Sequence, residues 1–495
     1  MKWIATLLFA ALLLIGVGIL LNKPGEDATI SSSPEALALC DEGTADMHAF
    51  RLRDAVEKLG RSLELDPSLA EASIARTLAY YRLGETDHFK AELDRADSLT
   101  SLIGDDQRRM IAQLRLGMIG KSRFFDIRDS VLTVLEKTVP ENIHVLVAQA
   151  SDPALSADPE LQEQAWKRIL NVDPNYATSY NMLGYLELNR GNYQQAIEYM
   201  QKYAFLAPEQ ANPHDSMGEV LMVMGRYEEA EAEFVTSVTM QPDFYHSLIN
   251  LGKVYLARGQ IDKGVDILEK VRSQVIGSDL EKKVDQEIIN TFINSGLDDQ
   301  IDRMTAMYVD RYPEDGSTCL YRGVRLAAAG NVAEGQAVMD SCLADWRTGW
   351  GYRNSPEVRL SIDSAARRYD ALAADYNDPP VTRVRMWRSA LTMIQDKWPF
   401  HEQWFYRYRL ARALRDNGEP EAALAELTPI LAVNQREPNI LALAVQSHID
   451  LGNKQAAAGL LEQLQWVVSK SDPDYYGRAK AAELAPKVAR LPDRS

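Results

Sequence analysis

Cysteine is nearly missing from this chain, with three in 495 residues, and histidine is scarce. The seven histidines, His48, His88, His144, His214, His246, His401 and His448, stand apart from one another in sequence. No Cys-x-x-Cys pair occurs, so a zinc ribbon or a dithiol redox centre has no ligands to build on. No Gly-x-Ser-x-Gly turn presents a nucleophile, and no Gly-x-x-x-x-Gly-Lys-Ser/Thr loop cradles a phosphate. His401-Glu402 begins like a zinc-protease helix, but Phe405 stands where the second histidine ligand belongs. Excess positive charge is lacking too. A formal net charge of -17 argues against general nucleic-acid binding, which needs a cationic surface to release counterions, and suits a chain repelled by polyanions. No cofactor and no metal is expected.

Long apolar runs are also missing, with one exception. Ile4 to Leu21 is apolar or small throughout except for Thr6, about long enough to cross a hydrocarbon core of roughly 30 Å as a helix. No Ala-x-Ala site follows promptly, and Leu37-Ala38-Leu39 before Cys40 lacks the small residue of a lipid-modified cysteine. The expectation is an uncleaved signal anchor at residues 1–22 and a polar tether at 23–33. Lys2 on the short side leaves that end cytoplasmic, which places the remainder outside a bacterial inner membrane, in the periplasm, or in a lumen if the source is eukaryotic. The chain would be a single-pass membrane protein.

What the remainder has in abundance is periodicity. Pro174, Pro208 and Pro242 are spaced by 34 residues, as are Gly184, Gly218 and Gly252, and the turn glycines Gly191, Gly225 and Gly259. A fixed period of this length signals stacked small units. Within the first unit, Tyr180, Leu183 and Leu188 form one helical stripe and Ile197, Met200 and Tyr203 form its partner. Gly184 leaves room for close approach, with Ala196 read as the small residue opposite. Gly191-Asn192 ends the first helix and Pro208 stops the second, so each unit is a helical hairpin.

Leu183, Gly184, Gly191, Tyr193, Ala196 and Pro208 stand where the tetratricopeptide-repeat signature expects them, and the chain resembles that family. The resemblance is close from Pro174 to about Val271 and degraded elsewhere. Glu187 replaces an aromatic, and Gly264 replaces the small alanine of the third copy. The fold expected is therefore all-α, an α-solenoid of antiparallel hairpins. Degenerate hairpins cover 34–173, a clear array 174–276 and degenerate hairpins again 277–348. An irregular aromatic-rich segment follows at 349–403, then hairpins and a capping helix at 404–495. Gly43 with Ala55 and Pro67, Gly84, Gly296 with Pro313, and Gly418 with Ala423 mark the weaker copies.

Repeats provide a surface rather than a reaction centre, and no stretch of domain size remains for a separate catalytic fold. The function expected is a scaffold for protein or peptide partners, not an enzyme. A ligand-responsive sensor, and an enzyme assembled from scattered loop residues, stay open beside it, as does the oligomeric state. On the first helix of each clear unit a second face carries Thr178, Asn181 and Tyr185, then Asn212, Asp215 and Glu219, then His246, Ile249 and Lys253. The resemblance implies that such a strip lines a groove receiving an extended peptide or a helix. It lacks the lysine and arginine clusters that clamp a terminal carboxylate.

Two other features compete for attention. Trp346, Trp350, Tyr352, Trp387, Trp398, Phe400, Trp404 and Phe405 interleave with Arg347, Arg353, Arg383, Arg385 and Arg388. This mixture suits either a binding hot spot or a joint filled by large rings, and the second reading is favoured. Cys319 and Cys342 flank the Gly330-Asn331 turn almost symmetrically, so antiparallel helices bring them to similar heights, where a disulfide is feasible. Cys40 is left unpaired.

Overall fold

The computed structural model describes residues 33–48, 51–83, 85–101, 103, 105–119, 123–152, 155, 158–277, 280–295, 298–313, 315–348 and 356–492. The proposed anchor at 1–22 lies outside them, as do most of the tether, Gly84, Gly296, Trp350, Tyr352 and Arg353. Among the described residues no helix is long and apolar enough to cross a membrane.

Every described element is helical, and the helices pack mainly against their sequence neighbours. The first four hairpins pair α1 (Pro34–His48) with α2 (Leu52–Leu65), α3 (Ala70–Leu83) with α4 (Thr86–Thr100), α5 (Asp106–Ile119) with α6 (Arg123–Thr138), and α7 (Ile143–Ala150) with α8 (Pro159–Val172). The regular array follows as α9 (Ala177–Arg190) with α10 (Tyr193–Leu206), α11 (Asn212–Val223) with α12 (Tyr227–Met240), and α13 (Tyr245–Ala257) with α14 (Ile261–Val275). Beyond it lie α15 (Glu281–Ser295) with α16 (Asp298–Arg311), α17 (Gly316–Ala328) with α18 (Val332–Thr348), and α19 (Pro356–Asn377) with α20 (Pro380–Ile394). A 3-10 turn (Phe400–Gln403) leads to α21 (Trp404–Asp416) with α22 (Pro420–Val433), α23 (Pro438–Asp450) with α24 (Lys454–Val468), and a final α25 (Tyr476–Ala489).

Local chemistry sets the ends. Gly191 holds φ 83°, and the next amide, Asn192 N–H, donates back to Glu187 O at 2.8 Å, closing helix α9 in the left-handed cap that glycine favours. Asp158 caps α8 by accepting from the Glu160 and Leu161 amides at 3.1 Å, with Pro159 at the first turn, where its missing N–H costs nothing.

Inside the hairpins the glycine faces both the small residue twelve positions on and a large side chain: a Cβ on Gly252 would lie 3.4 Å from Gly264 O, and one on Gly323 3.3 Å from Gly335 O. A Cβ on Gly184 would fall 2.7 Å from Met200 Cε, one on Gly218 2.6 Å from Phe234, and one on Gly252 2.9 Å from Leu268. Gly43 meets Leu59 and Gly323 meets Met339 in the same way. The glycine admits a large apolar side chain sixteen residues on, and Ala196 is fully buried in the same hairpin core. Each of these large groups is fully buried, worth about 1.5–3 kcal/mol relative to exposure.

The array does not run on as an open rod. After four further described hairpins, α15–α16 to α21–α22, the chain returns to the turns of the regular repeats. Asn434 Nδ2 donates to Tyr227 Oη at 2.9 Å, Arg436 forms a two-point ion pair with Glu228, and Asp472 N–H donates to Gly259 O at 2.9 Å. Arg436 also lies over the Tyr227 ring, 5.4 Å from its centroid, and Ile261 packs into the α23–α25 core. The 3-10 turn lies against α9. Two successive turns, at Gly225 and Gly259, thus carry a seam to the C-terminal hairpins. Glu228, in the first turn of α12, is a seam residue.

Candidate partner-binding face

Residues one period apart stack into a column on the first helices of the regular repeats. Tyr185 on α9, Glu219 on α11, Lys253 on α13 and Glu287 on α15 are successive 34-residue steps. Tyr185 Oη donates to Glu219 Oε2 at 2.8 Å, and Lys253 Nζ donates to Glu287 Oε1 at 2.9 Å. Asn250 joins the halves, donating from Nδ2 to Glu219 Oε1 at 3.1 Å and accepting from Lys253 Nζ at 3.1 Å. Beneath the column, Asp215 accepts from Ser247 Oγ at 2.6 Å and from Asn250 Nδ2 at 3.3 Å. Tyr185, Glu219, Lys253 and Glu287 all stay partly exposed, whereas Asp215 is buried.

The electrostatics follow from that burial. Loss of water, then the nearby Glu219 charge, push the Asp215 carboxyl up to about 7, and burial likewise raises Glu219. Burial works against the Lys253 ammonium, but the Glu287 carboxylate more than offsets it and the amine sits above its ordinary value. Burial alone would raise Glu287, and Lys253 and His246 outweigh it to hold that carboxyl below its usual range. His246, whose ring lies tilted against that of Tyr245 at 4.0 Å between centroids, is lowered to about 4 by burial and is neutral at pH 7. Desolvation sets the shifts of Asp215, Glu219 and His246, whereas in the Lys253–Glu287 pair the opposite charges overcome it.

Not all nine predicted strip residues lie on this face. Tyr185, Asp215, Glu219 and Lys253 come together. Ile249 is fully buried in the core formed with α14, α15 and α16, so it gives the face no apolar surface. Asn212 is buried and donates to Tyr203 Oη at 3.1 Å, turned toward the preceding repeat. Thr178 and Asn181 are buried at 1% and 0% exposure, and neither Thr178 Oγ1 nor either polar atom of Asn181 has a hydrogen-bond partner. These helices sit closer to their neighbours than a solvated strip allows. Ser247, Asn250 and Glu287 were missed in sequence; extending the column by one more period finds Glu287, but nothing in the pattern marks the other two.

The aromatic segment is mainly a joint. Trp387 is fully buried, its Nε1 donates to Asp375 at 2.9 Å, and the rings of Phe405 and Tyr406 meet it edge-on. Arg383 pairs with Asp416 and Arg347 with Asp363. Arg385 and Arg388 instead edge an open groove of about 510 Å³ with Val381, Val384, Thr392 and Glu419. Cys319 and Cys342 are joined in the structure, with Cα atoms 6.2 Å apart. Cys40 is free and buried, and burial pushes its thiol up to about 12.

Models of the tetratricopeptide repeat match residues 165–198, 216–277 and 408–487. These segments are tetratricopeptide repeats. They cover most of the regular array and, with it, the column of Tyr185, Glu219 and Lys253. The mouse superkiller complex protein 3 is 28% identical over 108 residues, which are 20% of this chain and 7% of that protein's length. The chain is also similar to the structure described as the APC/C hetero-tetramer Cut9-Hcn1, at 13% identity and a TM-score of 0.43, covering 92% of this chain and 84% of that one. The MamA protein matches at 19% identity and a TM-score of 0.25, over 42% of this chain and 93% of its own. Tetratricopeptide repeats commonly mediate protein-protein interaction, and the region of this chain that they occupy carries the inner column.

Proposed function

We propose that this chain is a scaffold that holds a protein or peptide segment along the inner face of its regular repeats. The observation that carries this reading is the partly exposed polar column itself, in which Tyr185, Glu219, Lys253 and Glu287 present hydroxyl, carboxylate and ammonium groups along one face. Full-length protein selected against a displayed library of unstructured peptides should enrich binders, and Tyr185→Ala with Glu219→Gln should lose them without changing helical content. An equal yield from wild type and variant would move the site off this face. Asp215→Lys is a poor probe because Asp215 is buried and the change would bury a second ammonium near Lys253.

The placement of this scaffold at a bacterial inner membrane, repeats in the periplasm, rests on Ile4 to Leu21 alone. Retention in membranes after an alkaline carbonate wash, with Met1 intact, is the result it requires. A sensor reading gains one specific observation, the seam between the C-terminal hairpins and the Gly225 and Gly259 turns, because a partner that binds only the open or the closed form would shift that contact.

A further inference from the structure

We propose that the groove beside α20 is a docking surface in its own right, taking an acidic peptide segment of a protein partner through Arg385 and Arg388. It lies apart from the inner column, which is built on the first helices of the regular hairpins, whereas α20 is the second helix of a later one. The groove runs along α20 to the 417–419 turn between α21 and α22 and has a volume of about 510 Å³, within the roughly 300–1,000 Å³ of clefts that hold compact ligands. Of the two valines that line it, Val384 is buried and Val381 is 62% exposed, so the groove offers apolar surface beside its charges.

Those charges select the occupant. Arg385 and Arg388 are three residues apart on α20, which puts them on one side of the helix with Cβ atoms about 5–6 Å apart, and both are exposed. Neither has a carboxylate partner among the described residues, unlike the arginines around them. Arg383 pairs with Asp416, Arg407 with Glu426, Arg409 with Asp375 and Arg415 with Asp450. The acid that lines the groove, Glu419, accepts from Asn417 Nδ2 at 2.6 Å. The first turn of α20, at Val381, and the start of α22, just past Glu419, both border the groove and add partial positive charge. A chain of formal net charge -17 thus leaves two guanidinium groups uncompensated at one place. Carboxylates match them, because each planar guanidinium holds a carboxylate by two parallel hydrogen bonds. Two acidic residues one helical turn apart, with an apolar neighbour to cover Val381, meet all of these groups.

The test uses full-length protein and a displayed library of unstructured peptides, with the variant Arg385→Gln, Arg388→Gln selected in parallel. Wild type should enrich peptides with two aspartate or glutamate residues three or four positions apart. A synthetic twelve-residue copy of one should bind the variant about tenfold less tightly, the upper end for two partly exposed pairs, while Tyr185→Ala with Glu219→Gln should bind it as wild type does. Both arginines are exposed and unpaired, so the thermal midpoint should not move. Arg385→Glu with Arg388→Glu should instead prefer the same peptide with lysine in place of its acids, a reversal that a folding defect cannot produce. Equal affinity of wild type and the glutamine variant would overturn the inference. So would a wild-type dimer in sedimentation that the glutamine variant loses, with no acidic peptide enriched, since the groove would then receive a second copy of this chain.

Discussion

Gly191 and Gly259 occupy the same place in two copies of one hairpin, both with positive φ, 83° and 69°, and both followed by a helix start. A Cβ on Gly191 would approach nothing nearer than Tyr193 Oη at 3.9 Å, whereas one on Gly259 would fall 2.6 Å from Tyr475 and 2.7 Å from Ser471. Gly225 is the intermediate copy in sequence but belongs with Gly259, since its Cβ would meet Asn434 Oδ1 at 2.3 Å. The first glycine is needed for its dihedral angle alone. The other two are needed for the angle and for the close approach of a chain more than two hundred residues away. A repeat motif therefore fixes the turn, while position in the closed array decides what the turn touches.

The largest expected effect breaks the seam at both turns. Gly225→Ala with Gly259→Ala adds overpacking of about 1–3 kcal/mol per site to the left-handed penalty of about 1–2 kcal/mol each. Small-angle scattering should show a larger radius of gyration, and urea denaturation an earlier transition. Gly191→Ala, by contrast, should cost only the dihedral penalty of about 1–2 kcal/mol and leave the scattering profile unchanged. Equal costs at Gly191 and Gly259 would mean that the seam does not form in solution.

Acid sharpens the same contrast. Arg436 hydrogen bonds hold the Glu228 carboxyl down to about 2, below its ordinary 4.5. Its contribution to the seam is present above pH 4.5 and lost as pH falls through about 2. The pair is partly exposed, so Arg436→Gln should cost about 1 kcal/mol or less, diminish with salt, and act on the scattering profile rather than on helical content. The inner face has the opposite sign. Asp215 is raised from 3.8 to about 7, so its contribution is present below pH 3.8 and lost as pH rises through about 7. Asp215→Asn should flatten the fall in thermal midpoint between pH 5 and 8, the smallest of these effects, and a variant as pH-dependent as wild type would remove Asp215 as its source.

The 34-residue period, the turn glycines and the stopping prolines made the hairpins legible, because each depends on residues close in sequence: an apolar stripe at helical spacing, a left-handed cap, a missing N–H. The same period, carried forward from Tyr185 through Glu219 and Lys253, reaches Glu287 and so contains most of the inner column. What it could not disclose was which strip residues stay partly open to solvent. Thr178, Asn181, Asn212, Asp215 and Ile249 share the helical phase of the exposed set, and only the packing of adjacent hairpins buries them. Nor could it disclose Glu228 with Arg436, or Asn434 with Tyr227, since no periodicity links a turn to a loop five hairpins later. Local sequence determines the unit because its interactions span one or two helical turns. The seam and the burial of the inner face belong to tertiary structure, where small rotations between hairpins accumulate along the array until distant residues meet.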